Sequence, residues 1–295
     1  MKKFVWFILV LAAMAACQKV EDNGTTEEPK MVEEAYTLTM EASKGADTKA
    51  LSLNSSTLNA YWKTGETVAV YLGGTYLGQL AATADGTDAT KAMLSGVLDS
   101  VTGVAQNSVL TLLFPRKDWD YTGQNGSAPN EAGPLATQYD YATASVTVAS
   151  VNTGNKTIAV TSGAHFVNQQ SVYRFSFKVG GMPLSVKELT VSSDHNKLVT
   201  FRSYSGGWTS TYGNLTVTPE SATDSFLYLS LRNENTNPTE ADRFSFVIIG
   251  ENNALYLGNK DIPGDKLGDG RFVSAQNISV TKSNLAQSGS ATEVW

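Results

Sequence analysis

From Tyr36 to Ala42 the chain alternates without a break. Tyr36, Leu38, Met40 and Ala42 fall on one parity and Thr37, Thr39 and Glu41 on the other. A period of two sends successive side chains to opposite faces of an extended chain, so this segment is predicted to be a half-buried strand. The same alternation, or a short apolar run bounded by turn residues, recurs at 67–72, 109–114, 145–149, 157–161, 171–179, 188–191, 198–204, 215–218, 226–231, 244–249 and 278–281. Within 171–179, Tyr173, Phe175, Phe177 and Val179 share one face, and Arg174, Ser176 and Lys178 take the other. Gly, Asn, Asp and Ser separate these runs, and the stretch from Lys44 to Lys49 is expected to be a turn or loop. No segment holds a helical period over three turns. Many short strands at near-regular spacing predict an all-β fold, a sandwich or barrel.

One sandwich of seven to nine strands needs about 100 residues, so a chain of 295 residues leaves room for two. The segment Tyr139-Asp140-Tyr141-Ala142, followed by a fresh strand at Ser145, marks the expected boundary. It divides an N-terminal β-sandwich domain, 36–143, from a C-terminal one, 144–295.

The first residues have a different pattern. Lys2 and Lys3 precede an uncharged apolar run over 4–13, small residues stand at Ala15 and Ala16, and Cys17 is the one cysteine of the chain. That order is a secretory signal, and the apolar run is shorter than the roughly 20 residues a spanning helix needs. Met14-Ala15-Ala16-Cys17 resembles the lipobox of bacterial lipoproteins. The resemblance implies a signal peptide over 1–16, acylation of Cys17 and a surface-exposed, lipid-anchored protein of the outer membrane. Residues 17–35 are polar and acidic, and are expected to be a flexible tether.

Composition narrows the chemistry. The chain is 41% hydrophobic and 17% charged, with a net charge of -6, which argues against a nucleic-acid partner, since such partners call for basic patches. With its cysteine committed to lipid, the mature chain is expected to hold no internal disulfide. His165 and His195, with no further cysteine, form no zinc pattern, and no metal or cofactor is expected. The chain carries no G-x-S-x-G, H-E-x-x-H, P-loop or C-x-x-C motif, and it is not read as an enzyme. Asp261, Asp265 and Asp269 stand four apart, whereas an EF-hand loop needs oxygens at every second position, so they are read as solvated turn residues. Asp118-Trp119-Asp120-Tyr121 pairs carboxylates with aromatics, as sugar-binding loops do, although in a strand Trp119 would face away from both carboxylates. A loop in which Trp119 covers the end of the sandwich is the expectation there.

Five segments together resemble the fimbrillin-like family, the lipoprotein precursors of type V pili. Trp62-Lys63-Thr64-Gly65-Glu66-Thr67-Val68-Ala69-Val70-Tyr71 is similar to the family's W-x-x-G-D-x-I-x-V segment, with Glu66 where Asp is commoner. Leu112-Leu113-Phe114-Pro115 with Gln124-Asn125-Gly126 resembles a strand ending in Pro and a later Gln-x-Gly loop. Tyr139-Asp140-Tyr141-Ala142, Val172-Tyr173-Arg174-Phe175-Ser176-Phe177 and Gly270-Arg271-Phe272 with Ile278-Ser279-Val280 follow in the family's order. The resemblance implies two transthyretin-like β-sandwich domains in tandem. It also implies cleavage by an Arg- or Lys-specific protease after the first strand, and assembly by β-strand exchange with other pilus subunits. On that reading Tyr36, Leu38, Met40 and Ala42 belong to the displaced strand, and the cut falls between Lys49 and Ala50. Lys44 is the alternative, and Lys49 reads equally well as a solvated loop lysine. The donor strand is sought in 278–295, with Ile278, Val280, Val294 and Trp295 as its apolar positions. The location implied is the outer membrane first and the pilus after processing, with a host or bacterial surface ligand as a further partner. The alternative is a glycan-binding surface lipoprotein that does not polymerise, with Trp119, Tyr121, Trp208 and Tyr212 as stacking platforms.

Overall fold

The alternation that opens the folded chain is strand β1, Tyr36–Lys44. Its apolar parity is buried, with Leu38 fully so, and Thr37, Thr39 and Glu41 are exposed. The computed structural model describes residues 34–44, 52–54, 57–59, 61–115, 117–130, 133–234 and 239–284, with backbone alone at 52–54 and 57–59. The leader, Cys17, Lys49, Ala50, Val294 and Trp295 lie outside the described residues.

Strands β2 (Ser52–Asn54) and β3 (Thr57–Asn59) pair as a separate hairpin. β4 (Thr67–Leu72), β5 (Thr75–Ala84) and β6 (Lys91–Leu98) then form an antiparallel meander. β7 (Val109–Phe114) pairs with the free side of β4, after which β8 (Asp118–Asp120) leaves this sheet. A short helix, α1 (Pro134–Gln138), precedes β9 (Ala142–Asn152), which returns to pair with β7. β10 (Thr157–Val160) and β11 (Ala164–Asn168) pair in turn with β9. β1 lies between this last pair and β6 and hydrogen-bonds to both sides. The sheet therefore closes into a barrel, with β10 and β11 sharing one place in the ring. Closure leaves no open edge on this sheet, and alternate side chains fill the interior, among them Leu38, Val70, Leu80, Leu94, Leu112 and Val146.

The second half contains β12 (Ser171–Val179), β13 (Met182–Pro183), β14 (Val186–Ser193), β15 (Val199–Tyr204), β16 (Trp208–Tyr212) and β17 (Leu215–Val217). It continues with β18 (Leu227–Leu231), β19 (Asp242–Gly250), β20 (Leu255–Ile262), β21 (Phe272–Ser279) and β22 (Thr281–Lys282). β12 sits between antiparallel β18 and parallel β21. Opposite it lies the sheet β17-β14-β19-β20-β22. The aromatic face predicted for 171–179 forms their joint core: the ring centroids of Phe175 and Phe177 lie 5.1 and 5.2 Å from that of Phe246. Edge-to-face contacts at this spacing favour a sandwich of two sheets with interleaved side chains.

Both cores lie within one compact unit of the described residues, but the chain does not change cores at 143/144. The fresh strand at Ser145 is the middle of β9, which supplies β7 with its second neighbour, and Ala142, Ala144, Val146 and Val148 enter the barrel core. The changeover falls after Asn168. Residues 117–141 reach forward across it: β8 pairs with β15, and Trp119, Tyr121 and Tyr141 are buried in the second core. The two turns that meet between the halves approach so closely that a side chain on Gly74 would stand 3.0 Å from the Ser205 carbonyl oxygen.

Candidate functional site: the seam around strand β1

The two sides of β1 are held very differently. Against β6 the pairing is antiparallel and continuous from Tyr36↔Leu98 to Ser43↔Lys91. Against the other neighbour it is parallel and interrupted. Thr37 and Leu38 face Thr157 and Ile158 on β10, and Ala42, Ser43 and Lys44 face Ala164, His165 and Phe166 on β11. Between these stretches β1 advances four residues, from Leu38 to Ala42, while its partner advances six, from Ile158 to Ala164. The surplus residues loop out of the sheet, and an open groove of about 440 Å³ lies over the gap, lined by Thr37, Thr39, Glu41, Ile158 and Ser162. Gly163 closes the gap. A Cβ there would stand 2.9 Å from the Glu41 carbonyl oxygen, so only glycine lets the chain return to β1 at this point.

Four apolar side chains hold β1 inward. Tyr36, Leu38, Met40 and Ala42 are each no more than 5% exposed, and the structure brings all four onto the core face as their alternation predicts. Lys44 continues the same parity. It is no loop residue: its side chain is 1% exposed, at the buried end of the strand. Its ammonium donates to Asp140 Oδ2 at 3.2 Å, to Glu66 Oε2 at 3.4 Å and to the Tyr61 carbonyl at 3.2 Å. Three donors meet three acceptors, which is the full capacity of a lysine. The same Nζ stands 4.5 Å from the ring centroid of Trp62 and 4.1 Å from that of Phe114. The amide of Gln170 donates to the other Asp140 oxygen, and the backbone N–H of Lys63 donates to Glu66. Removing one partner from such a buried pair typically costs about 3–5 kcal/mol, because the remaining charge is left desolvated. Nearby, Ser43 Oγ and His165 Nδ1 share a hydrogen bond of 2.7 Å across the β1–β11 seam.

Sequence reasoning missed Lys44, Glu66 and Asp140 as a cluster. The signal was present in the parity of Tyr36, Leu38, Met40, Ala42 and Lys44. The glycine after Lys44 suggested a turn one residue early.

The remaining candidates fall elsewhere. Ile278 and Val280 are not available as a free donor strand. Ile278 pairs with Phe177 in register, and both side chains are buried in the second core, because β21 is needed as the third strand beside β12. Trp119 and Tyr121 are 0% exposed and cannot stack on an external sugar. Trp119 occupies a strand rather than a loop, with its ring stacked on Tyr141 and tilted 37° against that of Trp208. Trp208 is itself half-buried beneath the Arg202 guanidinium, 4.2 Å from its ring centroid. Tyr212 alone of the four is open, and its hydroxyl donates to Glu234 Oε2 at 2.6 Å. Burial alone would raise the Glu234 carboxyl. The hydrogen bonds from Tyr212 and Arg232 and the charges of Arg232 and Arg202 outweigh it, holding the group below its ordinary value. Asp261 pairs with Arg243, Asp265 with Lys266 and Asp269 with Arg232. Among the described residues no group of His, Cys, Asp and Glu is placed to hold a metal ion. Among them, too, no helix is long and apolar enough to cross a membrane.

No protein-family model and no curated protein matches the chain. Its structural neighbours among solved structures include candidate cell adhesion proteins, candidate adhesins and fimbrial proteins. A candidate adhesin from Bacteroides ovatus is 11% identical, with a TM-score of 0.43 over 88% of this chain and 93% of the other. A candidate cell adhesion protein from Bacteroides uniformis is 12% identical, with a TM-score of 0.42 over 84% and 97%. The C-terminally truncated tip fimbrial protein Mfa3 from Porphyromonas gingivalis is 8% identical, with a TM-score of 0.35 over 79% and 86%.

Proposed function

We propose that the chain is a structural or adhesive subunit of a fimbria, exported as a lipoprotein and assembled when proteolysis releases β1 and a strand from another subunit takes its place. The observation that carries this reading is the position of β1 as the strand that closes the barrel, continuous on one side and interrupted on the other. Its loss would expose an apolar slot between β6 and the β10–β11 pair, with unpaired backbone on both walls, which is the arrangement used in β-augmentation. Lys49–Ala50 is the bond to be cut, since burial of Lys44 takes the alternative out of a protease's reach. Cys17 holds the precursor at the outer membrane until then. The strand this subunit donates lies in 285–295, with Val294 and Trp295 as its apolar positions, because Ile278 and Val280 are committed to the second core. The two halves are read as tandem transthyretin-like domains, each around its own core. The glycan-binding reading is disfavoured by burial of Trp119 and Tyr121.

The test uses fibres sheared from cells. An N-terminus at Ala50 supports the reading; polymer that retains acylated Cys17 refutes the processing step. Full-length protein treated with trypsin should take up a labelled peptide of residues 36–44 in place of its own β1, and protein that takes up none refutes strand exchange.

A further inference from the structure

We propose that the β1 slot selects its occupant by charge as well as by shape: the strand that fills it carries a lysine two residues beyond its fourth apolar position, where Lys44 now sits. The proposal rests on the strand-exchange reading and names the partner that reading requires.

The slot has five inward positions along one strand face, taken by Tyr36, Leu38, Met40, Ala42 and Lys44. Four of them are apolar. At the fifth, Asp140 is 6% exposed, and with Glu66 and the Tyr61 carbonyl it surrounds the ammonium. Departure of β1 would remove the ammonium from Asp140 and Glu66, leaving Asp140 the Gln170 amide and Glu66 the Lys63 N–H. An apolar residue entering there would keep the Asp140 carboxylate buried without its counter-charge, which is unfavourable; a lysine restores all three hydrogen bonds. Arginine suits the site less well, because its planar five-donor fork has only three acceptors arranged around a point. Direction is fixed as well, since the occupant must run antiparallel to β6 and parallel to β10 and β11.

This code separates partners. Residues 285–295 of this chain hold apolar side chains but no Lys or Arg. That segment of a second copy would bring no cation to Asp140 and Glu66. The occupant is therefore a strand from a subunit of different sequence, with alternating apolar residues ending in a lysine, and the slot favours assembly between unlike subunits.

Full-length protein cut with trypsin is mixed with fluorescein-labelled peptides, and anisotropy reports capture. The peptides are residues 36–44, the same peptide with Lys44→Met, and residues 285–295. The lysine peptide should bind at least about tenfold more tightly than either of the others, one decade being about 1.4 kcal/mol. Protein carrying Asp140→Asn and Glu66→Gln should treat the first two peptides alike, within about twofold of each other. Equal affinity of the wild-type slot for the first two overturns the charge code and leaves strand exchange standing. Capture of none of the three overturns strand exchange itself. A measurement on uncut protein then decides whether the charge is read at all. Lys44→Met should lower the melting temperature in the wild-type background and have a much smaller effect with Asp140→Asn. Equal effects in both backgrounds overturn the proposal.

Discussion

Leu38→Ala tests how far the barrel depends on β1. Leu38 is fully buried, faces Gly96 on β6 and Ile158 on β10, and is the most enclosed of the four apolar anchors. Burying a large apolar side chain is worth about 1.5–3 kcal/mol, so the three larger anchors, Tyr36, Leu38 and Met40, together contribute on the order of 5–10 kcal/mol gross. This is comparable to the whole net stability of a typical domain, about 5–15 kcal/mol. Truncating one buried leucine removes about 2.7–5 kcal/mol, including the cavity left behind. If β1 opens as its own unit, about 3 kcal/mol of that loss raises its opening constant by roughly a hundredfold. Native-state hydrogen exchange reads this directly. The amides of β1 should lose about two decades of protection, while those of β7, across the ring, should lose much less. Equal losses in β1 and β7 would refute the separability of β1, and a loss below about tenfold in β1 would refute the packing argument for Leu38.

Limited trypsin digestion of the native chain should spare the bond after Lys44 and cut after Lys49. A native cut at Lys44, read by mass spectrometry, contradicts its burial. Trp119→Ala should cost about 3–5 kcal/mol in denaturant unfolding, as for any large core aromatic, and should leave glycan-array signals unchanged. Glu234→Gln should lose stability that depends on pH. The folded-state carboxyl is held below its ordinary value, so its contribution is fully present above about pH 4.5 and fades as pH falls through the lowered value. The wild-type advantage over Glu234→Gln should therefore be present at pH 7 and shrink below about pH 4.5, and an advantage that grows in acid contradicts the assignment.

Alternation made β1, β4, β7 and β12 legible, because each presents one clean apolar face to a core. The strands missed have a physical excuse. β6 carries Met93 and Val97 outward, 42% and 49% exposed, so both of its faces read as apolar and the period disappears. β5 buries Ala82 behind Leu80, and alanine signals neither strand nor core. Domain anatomy was hidden for another reason. The return of β9 to the first ring and the forward reach of β8 are long-range choices of partner, and no local pattern records them. In the candidate site the four apolar anchors were visible in sequence. The ionic cluster behind them was not, since Lys44, Glu66 and Asp140 meet only when three separate segments fold together.

The order of the barrel's partners along the chain gives the interrupted seam a kinetic side. β6 is available to β1 after a modest loop, whereas Thr157 and Ala164 come far later in the chain. Contacts of high sequence separation form late, because the chain between them must first be confined. Pairing with β6 therefore carries a smaller loop-closure cost for β1 than pairing with β10 and β11, by on the order of 1 kcal/mol. The side of β1 with the gap is thus also the side with the larger closure entropy, and Gly163, close against Glu41, is where that side rejoins the strand.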